Sequence, residues 1–465
     1  MSARATPLAI TVRTIDVPPD VLRRLAATRP DDYPALFDSV AAGPLGQVSI
    51  LAARPRAALW QAADGTLGAA GMTPQGGSFL AALENWWLAE RREVAGLDIP
   101  FTGGWVVFLG YEAAQEIEPH LVLPASSLPW RAFALRTPCA LVHERATDRV
   151  FAVAEADAAH ELDVIERDAA RAATEVERAV PPPRSLRIGE EDPKLYIERV
   201  LKAKEYIRAG DIYQANLSRP WHVETEGAGF DPAHVGAIYE RLCARNPAPF
   251  AALAQWRGAA LLSSSPERLI RVAGRDVETR PIAGTRPRSL RPGDDAVETA
   301  ALVAHPKERA EHVMLIDLER NDLGRVCEAG TVRVDEFMVT ETYAHVHHIV
   351  SNVRGRLRDD VTPIGAVRAV FPGGTITGCP KFRCMQLIAE LEGEGRGAYT
   401  GSIGFLSRDG SMDLNILIRT MTLAGGRIHL RAGAGIVADS VPDRELEETR
   451  AKARGLLAVF EGAVG

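Results

Sequence analysis

The chain has 465 residues, 46% hydrophobic and 25% charged. These ordinary globular values exclude a disordered, collagenous or coiled-coil chain and leave room for two or three domains or one large composite one. With 61 acidic against 54 basic residues the formal charge is -7, and no block of lysine and arginine stands out, so a nucleic-acid backbone is excluded as partner and an anionic ligand must be met locally.

Residues 1 to about 145 alternate as strands do in LAITVRTI, QVSILAARP, RAALWQAA and GGWVVFLGYE. Between them one helix follows Ser78, with Phe79, Leu80, Leu83, Trp86 and Trp87 at helical spacing, which predicts two core tryptophans. From Ala154 to Val180 the sequence turns charged and alanine-rich, and Pro181 to Ser185 (PPPRS) reads as a linker between residues 1–185 and 186–465. A second helix is expected from Asp192 as N-cap and Pro193 to a stop at Gly210. Beyond it, IYQANLSRPWHV, AALLSSS, DVETRPIAGT and RIHLRAGAGIVA read as strands, among helices near 307–322, 380–391 and 443–460. The absence of regular βα alternation predicts an α+β fold with largely antiparallel sheet.

Five cysteines (Cys139, Cys243, Cys327, Cys379, Cys384) without metal-type spacing suit a reducing compartment. The N-terminus lacks the apolar core of a secretory signal, and no run reaches the ~18 apolar residues of a membrane span, so the chain reads as cytoplasmic.

Two helices carry carboxylates three apart, Glu308 with Glu311 and Glu445 with Glu448, Lys452 following one turn later. Facing pairs would offer the hard oxygen ligands that Mg²⁺ takes; a solvated helix face has the same spacing. FPGGTITGCPK (Phe371 to Lys381) is a glycine-rich loop entering a helix, able to hold an anion or to be a tight turn, and it lacks the Lys-Ser/Thr of a nucleotide loop. Gly433, Ala434 and Gly435 would admit a ligand close to the backbone or mark a bulge. In AHVHHIVS, strand alternation puts His345 and His347 on one face and His348 on the other, without zinc-ligand spacing.

Taken together, SSSPERL, RPIAGTRPR, KERAEHVMLIDLERNDLGRV, HHIVSNVRGRL, FPGGTITGCPK, GSIGF, MDLNILIRTM and GAGIVADSVPDRELEETRAKA resemble, in order, the chorismate-utilising enzymes over roughly residues 190–460. FTGGWVVFLGYE, GDIYQANLSR and ITGCPK are similar to the aminodeoxychorismate synthase branch, with anthranilate synthase the close rival; GCPK, where GAPK is usual, is a departure. The resemblance implies a large two-subdomain sandwich of mostly antiparallel sheets with helices outside. It implies Mg²⁺ held by Glu311 and Glu448, supported by Glu308 and Glu445, and acting on chorismate as template and Lewis acid. Tyr399, Arg419 and Lys452 match substrate-carboxylate contacts, and Gly284, Thr285, Thr375, Gly433, Ala434 and Gly435 match further pocket positions.

The same resemblance makes Glu267 the general acid for the departing hydroxyl and puts His348 near the ring. Gln214 stands where water-adding relatives carry a lysine; an amide is no base at neutral pH, so ammonia is the expected nucleophile. A glutamine amidotransferase partner would supply it, because no Cys-His-Glu amidotransferase segment is found in this chain. Ala283 replaces the lysine of the PIKGT variant and leaves space for ammonia to attack ring carbon 2. The expected product is 4-amino-4-deoxychorismate, for 4-aminobenzoate and folate, the lyase step being left to a separate enzyme. The alternative is anthranilate with pyruvate, toward tryptophan. A third reading, an inactive paralogue binding a tryptophan-like ligand, rests on YPALFDS (Tyr33 to Ser39) and is opposed by the intact carboxylate and cation set.

Overall fold

The computed structural model describes residues 7–41, 45–94, 97, 99–175, 186–225, 230, 233–288, 297, 300, 306–342 and 346–461. Among these, two large sheets account for the strands, and the strand pairs in both are antiparallel. The first has 12 strands in the order Ile10–Ile15, Arg149–Glu155, Cys139–Glu144, Val48–Ala53, Ala35–Asp38, Phe250–Trp256, Ala259–Ser265, Thr420–Ala424, Arg427–Ile436, Gln214–Thr225 and Leu186–Glu190, the short Gly378–Cys379 also pairing with Gln214–Thr225. The second has 11, in the order Ile282–Pro287, Val346–Arg356, Asp276–Arg280, Arg268–Ala273, Met412–Asn415, Ser402–Ser407, Gly104–Leu109, Trp130–Thr137, Ala57–Ala62 and Leu67–Ala70, with Arg333–Thr342 on the other side of Val346–Arg356. The expected α+β sandwich is therefore observed. Each sheet draws strands from both sides of the Pro181–Ser185 break, which lies outside the described residues.

The sheets meet through a size-complementary core. Ala35, Ala52, Ala252, Ala254 and Ala259 of the first sheet pack with Val106, Phe108, Trp130, Phe133 and Leu135 of the second, small side chains leaving room for rings. Phe108, Trp130 and Phe133 contact one another with centroids 4.8–5.2 Å apart. Because central strands are buried on both faces, AALLSSS is buried at every position and shows no alternation.

Helices cover both outer faces. Val21–Thr28, Leu162–Thr174 and His234–Arg245 share a core with the first sheet, and Phe79–Glu90, Pro306–Gly324 and Pro363–Val370 share one with the second. Trp86 and Trp87 are buried there as expected, behind Ser78, whose Oγ accepts from Ala81 N. Asp192 caps the next helix by accepting from Lys194 N at 3.0 Å, and that helix runs from Pro193 to Ala209 with Gly210 as C-cap. The alanine-rich stretch contains a helix that was not expected: Leu162, Ile165, Ala169 and Ala172 form a buried stripe. DVETRPIAGT is two strands rather than one, because Pro281 has no N–H to donate; its carbonyl accepts from Ser351 N at 3.3 Å.

Candidate active site

Gln214–Thr225 and Arg427–Ile436 are adjacent strands, with Asn216 opposite Gly435 and Ser218 opposite Gly433. The missing side chains of these glycines make room for named groups. A Cβ on Gly433 would stand 2.7 Å from the Tyr399 hydroxyl and 2.9 Å from Asn216 Oδ1; on Gly435 it would stand 2.5 Å from Gln214 Nε2 and 3.3 Å from Glu311 Oε1. Ala434, between them, points into the opposite, apolar cluster with Leu217, Ile436 and Leu446. The glycine-rich stretch is regular strand, so its function is close approach and the bulge alternative does not apply.

Glu267 follows the Ala259–Ser265 strand. Its N–H donates to Ser265 Oγ at 3.2 Å and its carbonyl accepts from Ile416 N at 3.0 Å, so the backbone is fixed on both sides. The side chain is only 4% exposed, and burial pushes its carboxyl up to about 7; the Thr375 hydroxyl, the Ile282 N–H and the charges of Arg419 and Lys452 pull the other way. Oε1 of Glu267 and Oγ1 of Thr375 are both buried and, among the described residues, have no hydrogen-bond partner.

Arg419 has φ 50°, a left-handed conformation that costs a non-glycine residue on the order of 1 kcal/mol. Its carbonyl is held by Ser264, which donates from N at 3.0 Å and from Oγ at 3.2 Å. Burial pushes the guanidinium down from its ordinary value and Glu267 opposes that shift. Among the described residues no carboxylate lies within ion-pair distance of it. A backbone strained to aim a desolvated, uncompensated cation is a mark of a binding site for an anion.

Ala283, 7% exposed, lies in the strand Ile282–Pro287 opposite Ile349. The pairing register shifts at Gly284, whose φ of 62° accommodates the irregularity, and resumes with Thr285 opposite His348. His348 is buried and held neutral: burial and Arg419 push its imidazole down to about 3, the Gly284 backbone opposing. His347 is also buried, its Nδ1 2.8 Å from Thr342 Oγ1; His345 lies outside the described residues.

The four glutamates lie on the Pro306–Gly324 and Pro442–Leu457 helices as the spacing predicts. Glu311 Oε1 accepts from Gln214 Nε2 at 3.0 Å, tying it to the Gly435 end of the strand. Glu448 pairs with Lys452 at 2.8 Å, and Lys452 Nζ also donates to Gly433 O at 2.9 Å, two residues back along the same strand. Glu445 is buried and Glu308 partly so. Among the described residues no three acidic, histidine or cysteine side chains are gathered into one ligand set. Like charges repel, and each of Glu311 and Glu448 has a donor of its own. Their oxygen chemistry fits a hard divalent cation, and the glycines keep a cradle open beside them that a Cβ would fill.

Sequence reasoning missed the charges behind this pocket. Glu319 and Asp322, 4% and 2% exposed, extend the buried stripe His312, Leu315, Ile316 of the Pro306–Gly324 helix. Counting in steps of three and four from His312 would have found them. Among the described residues no helix is long and apolar enough to cross a membrane.

Residues 51–458 match the family described as chorismate binding enzyme, which reaches further toward the N-terminus than the run of motifs from about residue 190. Anthranilate synthase component 1 of Streptomyces coelicolor is 41% identical over 412 residues, covering 84% of this chain and 79% of the relative. Aminodeoxychorismate synthase of Streptomyces griseus is 38% identical over 461 residues, covering 94% of this chain and 62% of the relative. The crystal structure of anthranilate synthase component I from Streptococcus pneumoniae TIGR4 matches with a TM-score of 0.75 at 31% identity, covering 89% of this chain and 93% of that one. The chain belongs to the chorismate binding enzyme family, close to anthranilate synthase component I.

Proposed function

We infer that the protein aminates chorismate with ammonia, through attack at ring carbon 2 and loss of the 4-hydroxyl. The observation that carries this reading is the Glu267 pocket: a buried carboxyl able to keep its proton near neutral pH, beside Arg419, which has no carboxylate within ion-pair distance among the described residues. Chorismate is a dianion, and Arg419, Lys452 and the Tyr399 hydroxyl are the groups proposed to hold its carboxylates. Binding there removes positive field from Glu267 and favours its protonated form further, so substrate itself readies the acid. Glu267 then gives its proton to the departing hydroxyl, which leaves as water.

His348 acts as a neutral imidazole near the ring. Ala283 presents no nucleophile and leaves space for ammonia, and Gln214, an amide engaged with Glu311, supplies no base to activate water. Glu311 and Glu448, with Glu308 and Glu445 behind them, would hold Mg²⁺, which when bound supplies Lewis-acid polarisation of the substrate. Thr285 and Thr375 complete the proposed pocket, and the Gly433 to Gly435 backbone gives the ring room. Ammonia comes from a separate glutamine amidotransferase subunit, with free ammonium able to replace it. The compartment is cytoplasmic, and residues 1–185 and 186–465 are the proposed N-terminal and chorismate-binding subdomains.

The product reading we place first is anthranilate: chorismate and ammonia give anthranilate, pyruvate and water. Ala283 and the several relatives named anthranilate synthase component 1 support it. A second reading, 4-amino-4-deoxychorismate and water, in which a second ammonia attacks carbon 4 while the carbon-2 amine leaves as ammonia, is supported by the S. griseus relative, whose likeness extends over 94% of this chain against 84% for the S. coelicolor one. Incubating the protein with chorismate, Mg²⁺ and ammonium separates them. Fluorescent anthranilate with equimolar pyruvate supports the first, a non-fluorescent amino-chorismate without pyruvate the second, and isochorismate or unchanged chorismate overturns both.

A further inference from the structure

The two strands that build the glycine cradle continue past it and bring two imidazoles together. Gln214–Thr225 and Arg427–Ile436 pair Ser218 with Gly433, Pro220 with Arg431 and His222 with His429. Strand alternation sets these pairs on one face, and Arg431 Nε donates to Ser218 Oγ along it at 3.0 Å. The histidine pair stands four residues beyond Ser218, about 13 Å at ~3.3 Å per residue. Arg431 and Tyr399, whose hydroxyl faces Gly433, form the wall between the cradle and the cavity on which the histidines open.

His222 Nδ1 and His429 Nδ1 are 2.9 Å apart, their ring planes at 82°. Two N–H groups cannot face each other so closely, so one nitrogen presents a lone pair to the proton of the other. A shared proton is one occupant of this arrangement, and a metal ion is the other. Imidazole nitrogens bind transition ions at about 2.0–2.1 Å, and two such bonds meeting at roughly 90° place the nitrogens about 2.9 Å apart, whereas a tetrahedral angle needs about 3.3 Å. The observed 2.9 Å is thus the span of two neighbouring positions on a tetragonal or octahedral ion, the geometry of Cu²⁺ and Ni²⁺. The register runs unbroken from Ala215 opposite Ile436 to Val223 opposite Ile428, so the main chain already holds both residues in place. Both histidines are half-buried, and a turn of each ring aims its lone pair beside the line joining the nitrogens instead of along it.

The surroundings admit a cation. The cavity, of about 360 Å³, is lined also by Ser126, Thr422, Glu394 and Gly395, whose oxygens and waters can face the open positions of an ion. The nearby guanidiniums are compensated: Arg427 pairs with Glu224 at 3.2 Å, Arg431 with Glu392 at 2.8 Å and Arg396 with Glu392 at 2.6 Å. Among the described residues no third acidic, histidine or cysteine side chain completes a ligand set, so an ion here keeps positions for water.

We propose that His222 and His429 form a second metal site, a bis-imidazole chelate for a divalent transition ion of the Cu²⁺ or Ni²⁺ type, apart from the glutamates assigned to Mg²⁺. Nitrogen ligands select such ions and carboxylates select Mg²⁺, so the two sites sort their ions by ligand chemistry. On binding, the shared proton moves to Nε2 of the ring that held it, and both imidazoles stay neutral while their Nδ1 lone pairs bind the ion. The ion then ties together the two strands that carry the cradle.

The test uses full-length protein freed of metal with a chelator, as wild type, His222→Gln and His429→Gln. Cu²⁺ is followed by electron paramagnetic resonance and Ni²⁺ by calorimetry. Wild type should bind one ion per chain, with hyperfine structure from two imidazole nitrogens, and a large excess of Mg²⁺ should not displace it. Each variant should bind at least about tenfold more weakly, no less than the loss of an outer-shell partner costs. Unchanged affinity in either variant, or a wild-type spectrum without two nitrogens, means an adventitious ion only and overturns the inference. A further readout needs no variant: Ni²⁺ should protect His222 and His429 of the wild type from carbethoxylation, mapped by mass spectrometry, and equal labelling with and without the ion overturns the inference. None of these measurements involves chorismate, so they decide the site whichever reaction the protein performs.

Discussion

Two glutamates, Glu392 and Glu267, are equally buried at 4% exposure and have opposite surroundings. Glu392, under the Gln214–Thr225 strand, accepts from Arg396 at 2.6 and 3.0 Å, from Arg431 at 2.8 Å, and from the Ser218 N–H and hydroxyl at 2.8 and 3.0 Å. Burial alone would push its carboxyl up, yet the two guanidiniums and these hydrogen bonds outweigh burial and hold it below the ordinary value. Glu267 has one orphaned oxygen and cations too distant to pair, and burial wins. The first arrangement ties a helix to two strands; the second keeps a proton available. The difference teaches that function here lies in compensation withheld and not in burial itself.

The largest effect that sharpens this contrast is on turnover. Glu267→Gln removes the acid and should lower chorismate turnover by ~10²–10⁴-fold, and the same variant should unfold at higher denaturant than wild type above neutral pH, because it removes an ionised group held in a dry site. Loss of stability in that variant would place Glu267 with Glu392 as a structural group. Next comes Glu392→Gln, which strands two buried guanidiniums and should cost about 3–5 kcal/mol of unfolding free energy, read by urea titration. A loss below about 1 kcal/mol would match an exposed pair and break the comparison.

Smaller is the pH dependence of stability, where the signs differ. The Glu267 carboxyl is raised from 4.5 to about 7, so its unfolded form gives up the proton first. Its contribution falls with rising pH across that window, by about 1.4 kcal/mol per unit, and is constant above it. Glu392 is depressed below 4.5, so its contribution is present above that value and is lost as pH falls through its folded value. Urea titrations of wild type and both glutamine variants should show these slopes vanish one at a time. Smaller still, Gly435→Ala crowds Gln214 and Glu311 and should weaken turnover about tenfold with the fold retained. Unchanged kinetics would show that this backbone is not approached. Gln214→Lys should open at most a trace of water addition, detected as isochorismate by mass; none at all would make that position less than the selector of the nucleophile.

The antiparallel sandwich was legible because turn-bounded strands and the lack of βα alternation point to one class of fold, and Ser78, Asp192 and Pro193 marked helix starts where they stand. The Leu162–Thr174 helix was hidden because small alanines fill half of its buried stripe and charge dominates the rest. At the site, the spacing of Glu308, Glu311, Glu445 and Glu448 located two helices, and Gly433 with Gly435 located the cradle. What spacing could not give was partnership. That Gln214 engages Glu311, that no carboxylate among the described residues reaches ion-pair distance of Arg419, and that Arg431 joins Arg396 on Glu392 depends on segments distant in sequence meeting around the paired Gln214–Thr225 and Arg427–Ile436 strands. Sequence separation hides such pairings, and they decide which buried charge is available.

The measurement that bears most directly on the account is chorismate turnover with ammonium as sole nitrogen source and Mg²⁺ present, wild type and Glu267→Gln in parallel, products identified by mass. The account predicts an amine-containing product that appears only with ammonium and is lost in the variant. A water adduct, no consumption of chorismate, or a variant as active as wild type would contradict it.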